Sequence, residues 1–574
     1  MVTATSLRPK EKLPVVYTSK AKCRDCYRCV RVCPVNAIKM KDGQAQVIPE
    51  LCIACGTCII NCPQHAKEYR METDKVLHML ETGEPIAITV APTFAVYYSE
   101  WEQKRLPSAL RQAGFQLVSE TAVGAYQTAI ASKEYIDQHP SKNHICTACP
   151  AVVNYVLHQS PHLANQLIPV ASPMIIHARM IKKKFPEMKV VFAGPCVAKK
   201  DEAQWPDNTV WIDAVLTFEE LDDILKEKKI DILNCEDSSF SEMVPGESRL
   251  FPLEGGLLRT AGLSTDMLDE RIVTVSGYRE VREALDGLSD TLQPTIIEPM
   301  FCKNGCINGP ASSQHSSFQG RTAILEHTQR TKHRQLPNAE PFNRIGAKFP
   351  SVSKKGKEQF SEEQIREVLR ITGKHEKDDE LNCTACGYAS CREKAIAVLR
   401  GMAEPEMCIP FMRKRAENQY DAMIMHDPNG ILLLDKNLSI LHMNNAFKKM
   451  FSCSDTLLGK KISYLTDPGI FERLQSGKEN VIKEISHYAN YNLICHVIAF
   501  SLPEEEHYAG VFVDITDTQL SKEKLTAIKS ETILKAQELI DHQISLAQEL
   551  AKFLGENTAR GEVLMKNLID TIKK

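Results

Sequence analysis

The residues with the clearest chemical potential in this chain are its cysteines. There are 20 in 574 residues, and sixteen fall into groups with ligand-like spacing. Thiolates are soft donors, suited at such spacing to iron–sulfur clusters. Near the N-terminus, Cys23, Cys26, Cys29 and Cys33-Pro34 form the run C-x2-C-x2-C-x3-C-P, and Cys52, Cys55, Cys58 and Cys62-Pro63 repeat it. Farther on stand "CTACPAVV" (146–153), "AGPCVAKKDE" (193–202) and "EPMFCKNGCINGPA" (298–311). In the first two, a cysteine sits beside a proline, where a tight turn could present sulfur to a buried centre. In the third, Cys302 and Cys306 lie four apart, with Gly305 and Gly309 alongside. A four-residue step puts both thiolates on one face if the segment is helical, and glycine lets backbone approach a bulky ligand. A last group, Cys383, Cys386, Cys391 and Cys408, reads C-x2-C-x4-C-x16-C. Cys146, Cys235, Cys453 and Cys495 remain, and the last three read as small buried hydrophobes.

The composition narrows the classes. The length suits roughly four domains. A net charge of −3 with mixed signs makes no case for nucleic acid or a membrane surface. The first 14 residues hold no apolar signal core, and the longest apolar-rich run, 85–98, is too short to span a bilayer. A cytoplasmic protein is the expectation. In that compartment a cysteine-rich chain argues for metal rather than disulfides.

Several elements must position these thiols. "PIAITVAPTFAV" (85–96) starts as a buried strand and breaks at Ala91-Pro92, and "MKVVFAGPC" (188–196) repeats the form. Amphipathic helical stretches, such as 171–184 and 217–228, lie between. Strands alternating with helices imply α/β layers with parallel sheet, whose ligands collect at the carboxyl ends of strands. Ser361 with Gln364 forms a capping-box pattern. Residues 430–447 give two short strands around an Asp-Lys-Asn turn and a helix start at Asn444-Asn445; 507–517 give a final strand. Beyond 518, Ile533, Ile540, Ala547 and Leu554 recur every seven residues, with Ala536 and Leu550 three after two of them. A two-stranded coiled coil and an ordinary packed helix both fit. An amphipathic helix over 562–573 follows.

The duplicated N-terminal run resembles the bacterial two-cluster ferredoxins, in which each fourth cysteine ligates the other cluster. That resemblance implies one 4Fe-4S centre on Cys23, Cys26, Cys29 and Cys62, and a second on Cys52, Cys55, Cys58 and Cys33. Lys22, Arg24, Arg28 and Arg31 add charge that could steer an acidic electron carrier or simply face solvent. The three later cysteine segments, in their order, resemble the signature motifs of the FeFe-hydrogenase catalytic domain. The centre of that family, the H-cluster, is a 4Fe-4S cubane joined through one cysteine to a two-iron unit carrying CO and cyanide. The resemblance implies Cys149, Cys196, Cys302 and Cys306 on the cubane, with Cys306 bridging to the two-iron unit. It also implies Lys199 hydrogen-bonding a cyanide, Met300 packed near the diiron unit, and Ala91-Pro92 as a backbone turn beside it. The Cys383, Cys386, Cys391 and Cys408 tract resembles a small four-cysteine 4Fe-4S domain, with zinc the other reading. Residues 420–518, ending in Asp514-Ile515-Thr516, resemble a PAS domain. His442 and His487 are candidate haem ligands there or packing histidines, and His542 reads as a solvated-helix histidine.

Departures from the hydrogenase pattern matter as much. Where the family usually carries a second cysteine as the last proton relay, this chain has Ala148. The paired relay glutamates align near Ala131 and Glu134. Gly194 replaces the usual methionine, Val152 an aromatic, and Gly309-Pro310-Ala311 the glycine triplet. Proton transfer needs a titratable group within hydrogen-bond reach or one water away, so turnover should be slow. Cys146 is a candidate substitute relay or an idle buried thiol.

The resulting expectation is a multidomain α/β and α+β protein. It comprises a two-cluster ferredoxin domain (1–75), an α/β H-cluster domain (76–345), a small 4Fe-4S domain (346–415), a PAS domain (416–518), and a coiled-coil signalling helix with a terminal helix (519–574). Its cofactors would be three 4Fe-4S clusters and an H-cluster. The resemblance implies a sensory hydrogenase that slowly cleaves H2 to protons and electrons and passes redox state to the PAS domain. The alternatives are a metabolic ferredoxin-linked hydrogenase and an iron–sulfur carrier without the two-iron unit. Expected partners are a ferredoxin-like carrier, a downstream signalling protein and a second copy of the chain, with neither nucleic acid nor membrane.

Overall fold

The computed structural model describes residues 14–516, except 267, 289–292, 313–315, 331–339, 341–344, 351–359 and 503–505, together with positions 535 and 543. The coiled-coil and terminal-helix expectations and His542 lie outside the described residues. The chain divides into two compact units, Met1–Pro405 and Glu406–Lys574.

The first unit opens with a pseudo-repeat. Short helices Arg28–Val32 and Thr57–Ile60 follow the two cysteine runs. They are framed by two antiparallel pairs, Val16–Thr18 with Lys67–Tyr69 and Ile38–Lys41 with Gln44–Val47. Left-handed backbone recurs at matching places, Asp25 and Ala54, Tyr27 and Gly56, Asn36 and His65. Five of these six residues carry a Cβ, so each left-handed turn there is costly. The strain is held at the same step of each run, where the chain must wrap the sulfurs.

Next comes the α/β region. Its larger sheet is wholly parallel, in the order Leu117–Glu120, Ile86–Val90, Lys189–Ala193, Ala214–Leu216. Ile86–Val90 is buried at every position, the pattern of a parallel strand covered on both faces. A second parallel sheet orders Ile272–Ser276, Ile296–Met300 and His144–Ile145. Helices cover both. Phe218–Glu227 carries the reciprocal Thr217–Glu220 cap, and Pro173–Lys184 starts with proline in its first turn, where the missing N–H costs nothing. At Gly124 a Cβ would lie 2.3 Å from the Pro173 carbonyl oxygen, so glycine lets helix Ala122–Gln138 meet Pro173–Lys184 closely. The Ser361–Gln364 box caps Glu362–Ile371 as its pattern implies.

The second unit holds a five-stranded antiparallel sheet in the order Ile440–Met443, Gly430–Leu434, His507–Asp514, Leu493–Leu502, Val481–Tyr488. Phe447, Phe451 and Phe512 pack ring to ring over it, with centroids 4.5–5.4 Å apart. Asn444 is fully buried and ties the entry together. Its Oδ1 accepts from Ile431 and Phe447 N–H, and its Nδ2 donates to the carbonyls of Ile424, Asp427 and Asn429. That fixes the end of the incoming helix Ile409–His426, which starts at Cys408 as its N-cap. Among the described residues, no helix is long and apolar enough to cross a membrane.

Candidate metal centre

The N-terminal cysteines gather into two interleaved sets. Cys29 lies within electrostatic reach of Cys26, Cys23 and Cys62, and these four line one small cavity. Cys58 lies near Cys55, Cys33 and Cys52. The fourth cysteine of each run is therefore with the other run. Burial pushes Cys29 up to about 11 and Cys55 up to about 12, because a bare thiolate away from water is costly. A bound metal reverses that balance and deprotonates a coordinating thiol. Backbone donors already face the sulfurs. Ala37 N–H points at Cys33 Sγ and Ala66 N–H at Cys62 Sγ, both at 3.2 Å, and Ala54 N–H at Cys52 Sγ at 3.4 Å.

The second constellation forms at the carboxyl ends of the parallel strands. Ala91-Pro92 turns the chain after Val90, with Ala91 N–H on the Ala193 carbonyl at 2.8 Å. Cys196 follows strand Lys189–Ala193, and Cys149 is the N-cap of helix Pro150–Gln159. Met300 ends strand Ile296–Met300 and is buried. Cys302 and Cys306 do not share one helix. A turn closed by Gly305 N–H on the Cys302 carbonyl separates them, and Cys306 opens a single 3-10 turn. They still converge, because Gly305 takes φ +91° against the Pro252 carbonyl, where a Cβ would sit 2.2 Å away. Cys302 lies near Cys196, Cys306 and Cys149, and also near Cys55 of the N-terminal repeat. Burial pushes Cys196 up to about 11 and raises Cys302 and Cys306 further. Among the described residues no three such side chains converge on a point that would hold one ion; Cys23, Cys26, Cys29 and Cys62 instead line one small cavity.

Beside these thiols is a cavity of about 110 Å³, lined by Ala91, Pro92, Ala148, Phe192, Met300 and Lys199, with Cys149, Cys196 and Cys306. It is far smaller than a metabolite pocket of ~300 Å³ or more. Lys199 is buried and donates to Glu202 Oε2 at 2.7 Å and to the Ala148 carbonyl at 3.3 Å. The departures in sequence have local compensations. A Cβ at Gly194 would meet the Phe192 ring at 2.7 Å and Ala91 Cβ at 2.9 Å, so Phe192 occupies the space a longer residue would need. Gly309 abuts the Pro195 carbonyl, and Pro310 packs on Gly56, where a Cβ would come within 2.3 Å of its ring. The third motif thus touches both the second motif and the second N-terminal run. Ala131 is buried and Glu134 exposed.

Sequence reasoning assigned no role to Glu298. It lines the same cavity, and its two carboxylate oxygens accept from Leu257 and Leu258 N–H at 3.0 Å each. Burial pushes it up to about 7 despite those donors. An acidic residue inside an otherwise buried strand was the available signal. Cys146 is buried on the same wall, with burial and Glu298 both raising its thiol well above the ordinary range. Cys235 and Cys495 are buried as their default reading implies, and Cys453 is half-buried. Of the last group, Cys383 is exposed, Cys386 and Cys391 are half-buried, and Cys408 belongs to the second unit. Lys22 pairs with Glu68 at the surface, while Arg31 turns inward to backbone carbonyls.

Two interleaved cysteine sets leading to a third at the mouth of parallel strands define an iron–sulfur oxidoreductase architecture. The family comparisons agree. Residues 84–310 match the model "Iron only hydrogenase large subunit, C-terminal domain", residues 15–77 a 4Fe-4S dicluster domain, and residues 379–410 an Fe-S cluster family. Residues 84–310 thus form a domain of the iron-only, or FeFe, hydrogenase family. Among curated relatives, iron hydrogenase 1 of Clostridium pasteurianum is 26% identical over 372 residues, 52% of this chain and 65% of that protein. The NADP-reducing hydrogenase subunit HndD of Solidesulfovibrio fructosivorans is 23% identical over 397 residues, 56% of this chain and 68% of that one. Protein NAR1 of Arabidopsis thaliana is 22% identical over 385 residues, 52% and 80% respectively. The chain thus spans about two thirds of the length of the two hydrogenases. The half-buried four-cysteine set, the small apolar cavity and the buried Lys199 beside it fit an H-cluster.

Proposed function

We propose that this chain is a slow FeFe-hydrogenase that senses hydrogen. The observation that carries the reading is a methyl group at Ala148 beside an intact donor set. Cys149, Cys196, Cys302 and Cys306 would hold the cubane, with Cys306 the bridge to the two-iron unit. When bound, the H-cluster supplies the binding and heterolytic cleavage of H2. Lys199, paired with Glu202 on one side, would have donor capacity left for a cyanide of that unit. Ala91, Pro92, Phe192 and Met300 exclude water from the cavity. Ala148 cannot carry a proton, and neither buried Ala131 nor surface Glu134 replaces it. Cys146 and Glu298 are the acids on the cavity wall through which protons would leave, slowly.

Electrons would pass to 4Fe-4S centres on Cys52, Cys55, Cys58 and Cys33, then on Cys23, Cys26, Cys29 and Cys62, with a ferredoxin-like carrier as outlet. A further 4Fe-4S centre would use Cys383, Cys386, Cys391 and Cys408. The second unit is read as a PAS domain. Its strand order and the Asp514-Ile515-Thr516 end, where Thr516 N–H bonds Asp514 Oδ1 and Thr516 Oγ1 accepts from Ile494 N–H, support that reading. Phe447, Phe451 and Phe512 are buried in its core, and His487 lines a separate cavity of about 480 Å³. Residues 519–574 would carry the signal to a partner protein, with the chain acting as a homodimer in the cytoplasm.

The test is infrared spectroscopy of anaerobically matured protein with and without hydrogen, beside a turnover assay. CO and cyanide bands that shift under hydrogen, with slow turnover, support the sensor. Fast turnover makes it a metabolic enzyme. No bands after competent maturation leaves an iron–sulfur carrier, a second reading favoured by the match to NAR1.

A further inference from the structure

In sequence, the cysteines from 383 onward follow the catalytic domain. In the fold, the loop of Cys383 and Cys386 lies against the N-terminal repeat. Arg31, in helix Arg28–Val32, forks between two cysteine loops. Its Nη2 donates to the Cys26 carbonyl at 3.1 Å and its Nη1 to the Ala385 carbonyl at 3.2 Å. At Gly387, φ is +92°, and a Cβ would lie 3.1 Å from Val30 Cγ1 and 3.2 Å from Arg31 backbone. The loop therefore meets the helix with no side chain between. Tyr388, 7% exposed, lies within electrostatic reach of both Cys386 and Cys33. Two outer ties hold the same contact, Met40 N–H on the Met402 carbonyl at 3.3 Å and Asp42 N–H on Glu404 Oε1 at 2.7 Å. The H-cluster motif meets the repeat elsewhere, at Gly56 and Cys55.

We propose that the centre held by the Cys383 group is a side branch of the N-terminal electron wire, joined to it across Arg31 and Tyr388, and not a station beyond the catalytic domain. The inference rests on the iron–sulfur reading of that group but not on hydrogen chemistry. The step is a one-electron exchange. A reduced N-terminal 4Fe-4S centre loses one electron and the oxidised third centre gains it, with no bond made and no proton moved. Arg31 is permanently charged and fits two acceptors at once. An electron arriving on either side lowers its energy against the same guanidinium, so Arg31 is a positioning residue for both centres.

The experiment uses the full chain, loaded anaerobically with iron and sulfide but without the two-iron unit, and reduced with dithionite. Low-temperature electron paramagnetic resonance compares it with the Cys383→Ser/Cys391→Ser variant. Loss of spin–spin broadening on the N-terminal signals, with a several-fold fall in their half-saturation power, is expected. Unchanged line shape and saturation would overturn the branch, as would an iron content that the variant does not lower. Arg31→Ala should keep its iron and its coupled spectrum but lower the reduction potentials of the centres on both sides in a redox titration followed by the same spectra; unshifted potentials remove Arg31 from its positioning role. Should that variant lose iron, Arg31→Gln, which removes the charge but keeps a hydrogen-bond donor, must show the same downward shift. A chain with no hydrogen turnover but coupled spectra refutes the hydrogenase reading and leaves this one standing.

Discussion

On the hydrogenase reading, the single methyl at 148 would limit how fast protons can leave the site. Ala148→Cys should raise hydrogen turnover by about 10²-fold or more, the usual worth of a positioned acid or base, with infrared bands unchanged in number. A turnover assay on matched, fully loaded samples checks it. Elsewhere, Glu242 makes a pH-dependent contribution to stability. It accepts from Ser119 Oγ at 2.6 Å and pairs with buried His177 at 2.8 Å. Burial pushes its carboxyl up, but the His177 and Ser119 bonds win and hold it down at about 2. Its folded pKa lies below the unfolded value of 4.5, so the carboxylate stabilises the fold above that pH, and the gain is lost as pH falls towards 2. Glu242→Gln should therefore cost about 3 kcal/mol at pH 6, with the gap closing on acidification, as read by denaturant unfolding at several pH values. At this scale the cysteines were legible because their spacing is local. Glu298 and Phe192 were not, since their roles depend on Leu257, Leu258 and Gly194 reaching them in space.

The elements around the site are held by a few buried contacts. Lys200 and Glu220 are wholly inaccessible and pair at 2.7 Å, while the same Glu220 caps its own helix through Thr217 N–H. Lys200 sits beside Lys199 in helix Ala198–Glu202. Breaking such a pair from one side leaves a buried charge, so Lys200→Met should cost about 3–5 kcal/mol, measured by chemical denaturation. Gly309 is the other joint. Its φ of −59° is open to any residue, so Gly309→Ala tests contact alone. It should destabilise by about 1–3 kcal/mol, the cost of overpacking, and lower the iron bound per chain. The parallel strands, the turns at Ala91 and Cys196 and the Ser361 cap could be read from pattern. The turn between Cys302 and Cys306 could not. A four-residue step suggests a helix, but Gly305 in a left-handed conformation breaks it.

Across the whole molecule, the division after Pro405 has a direct test. On the hydrogenase reading, a chain ending there should keep the infrared bands and turnover of the full chain, and lose iron only from the group that would need Cys408; iron analysis and spectra decide it. Sequence order misplaced one feature at this scale. The Arg31 contact to Ala385 joins residues 354 apart, and no periodicity reports a contact of that range. The interleaving of Cys33 and Cys62 has a further consequence. Each half of the repeat places its fourth cysteine with the other half's three, so on the two-cluster reading neither half is a spare. Losing either cysteine would strip a ligand from the other run's centre, and deleting one half would leave neither centre with four ligands. A duplication usually frees one copy to drift. Here the exchange of donors binds the copies to a common fate, and the pair can only be inherited, or lost, together.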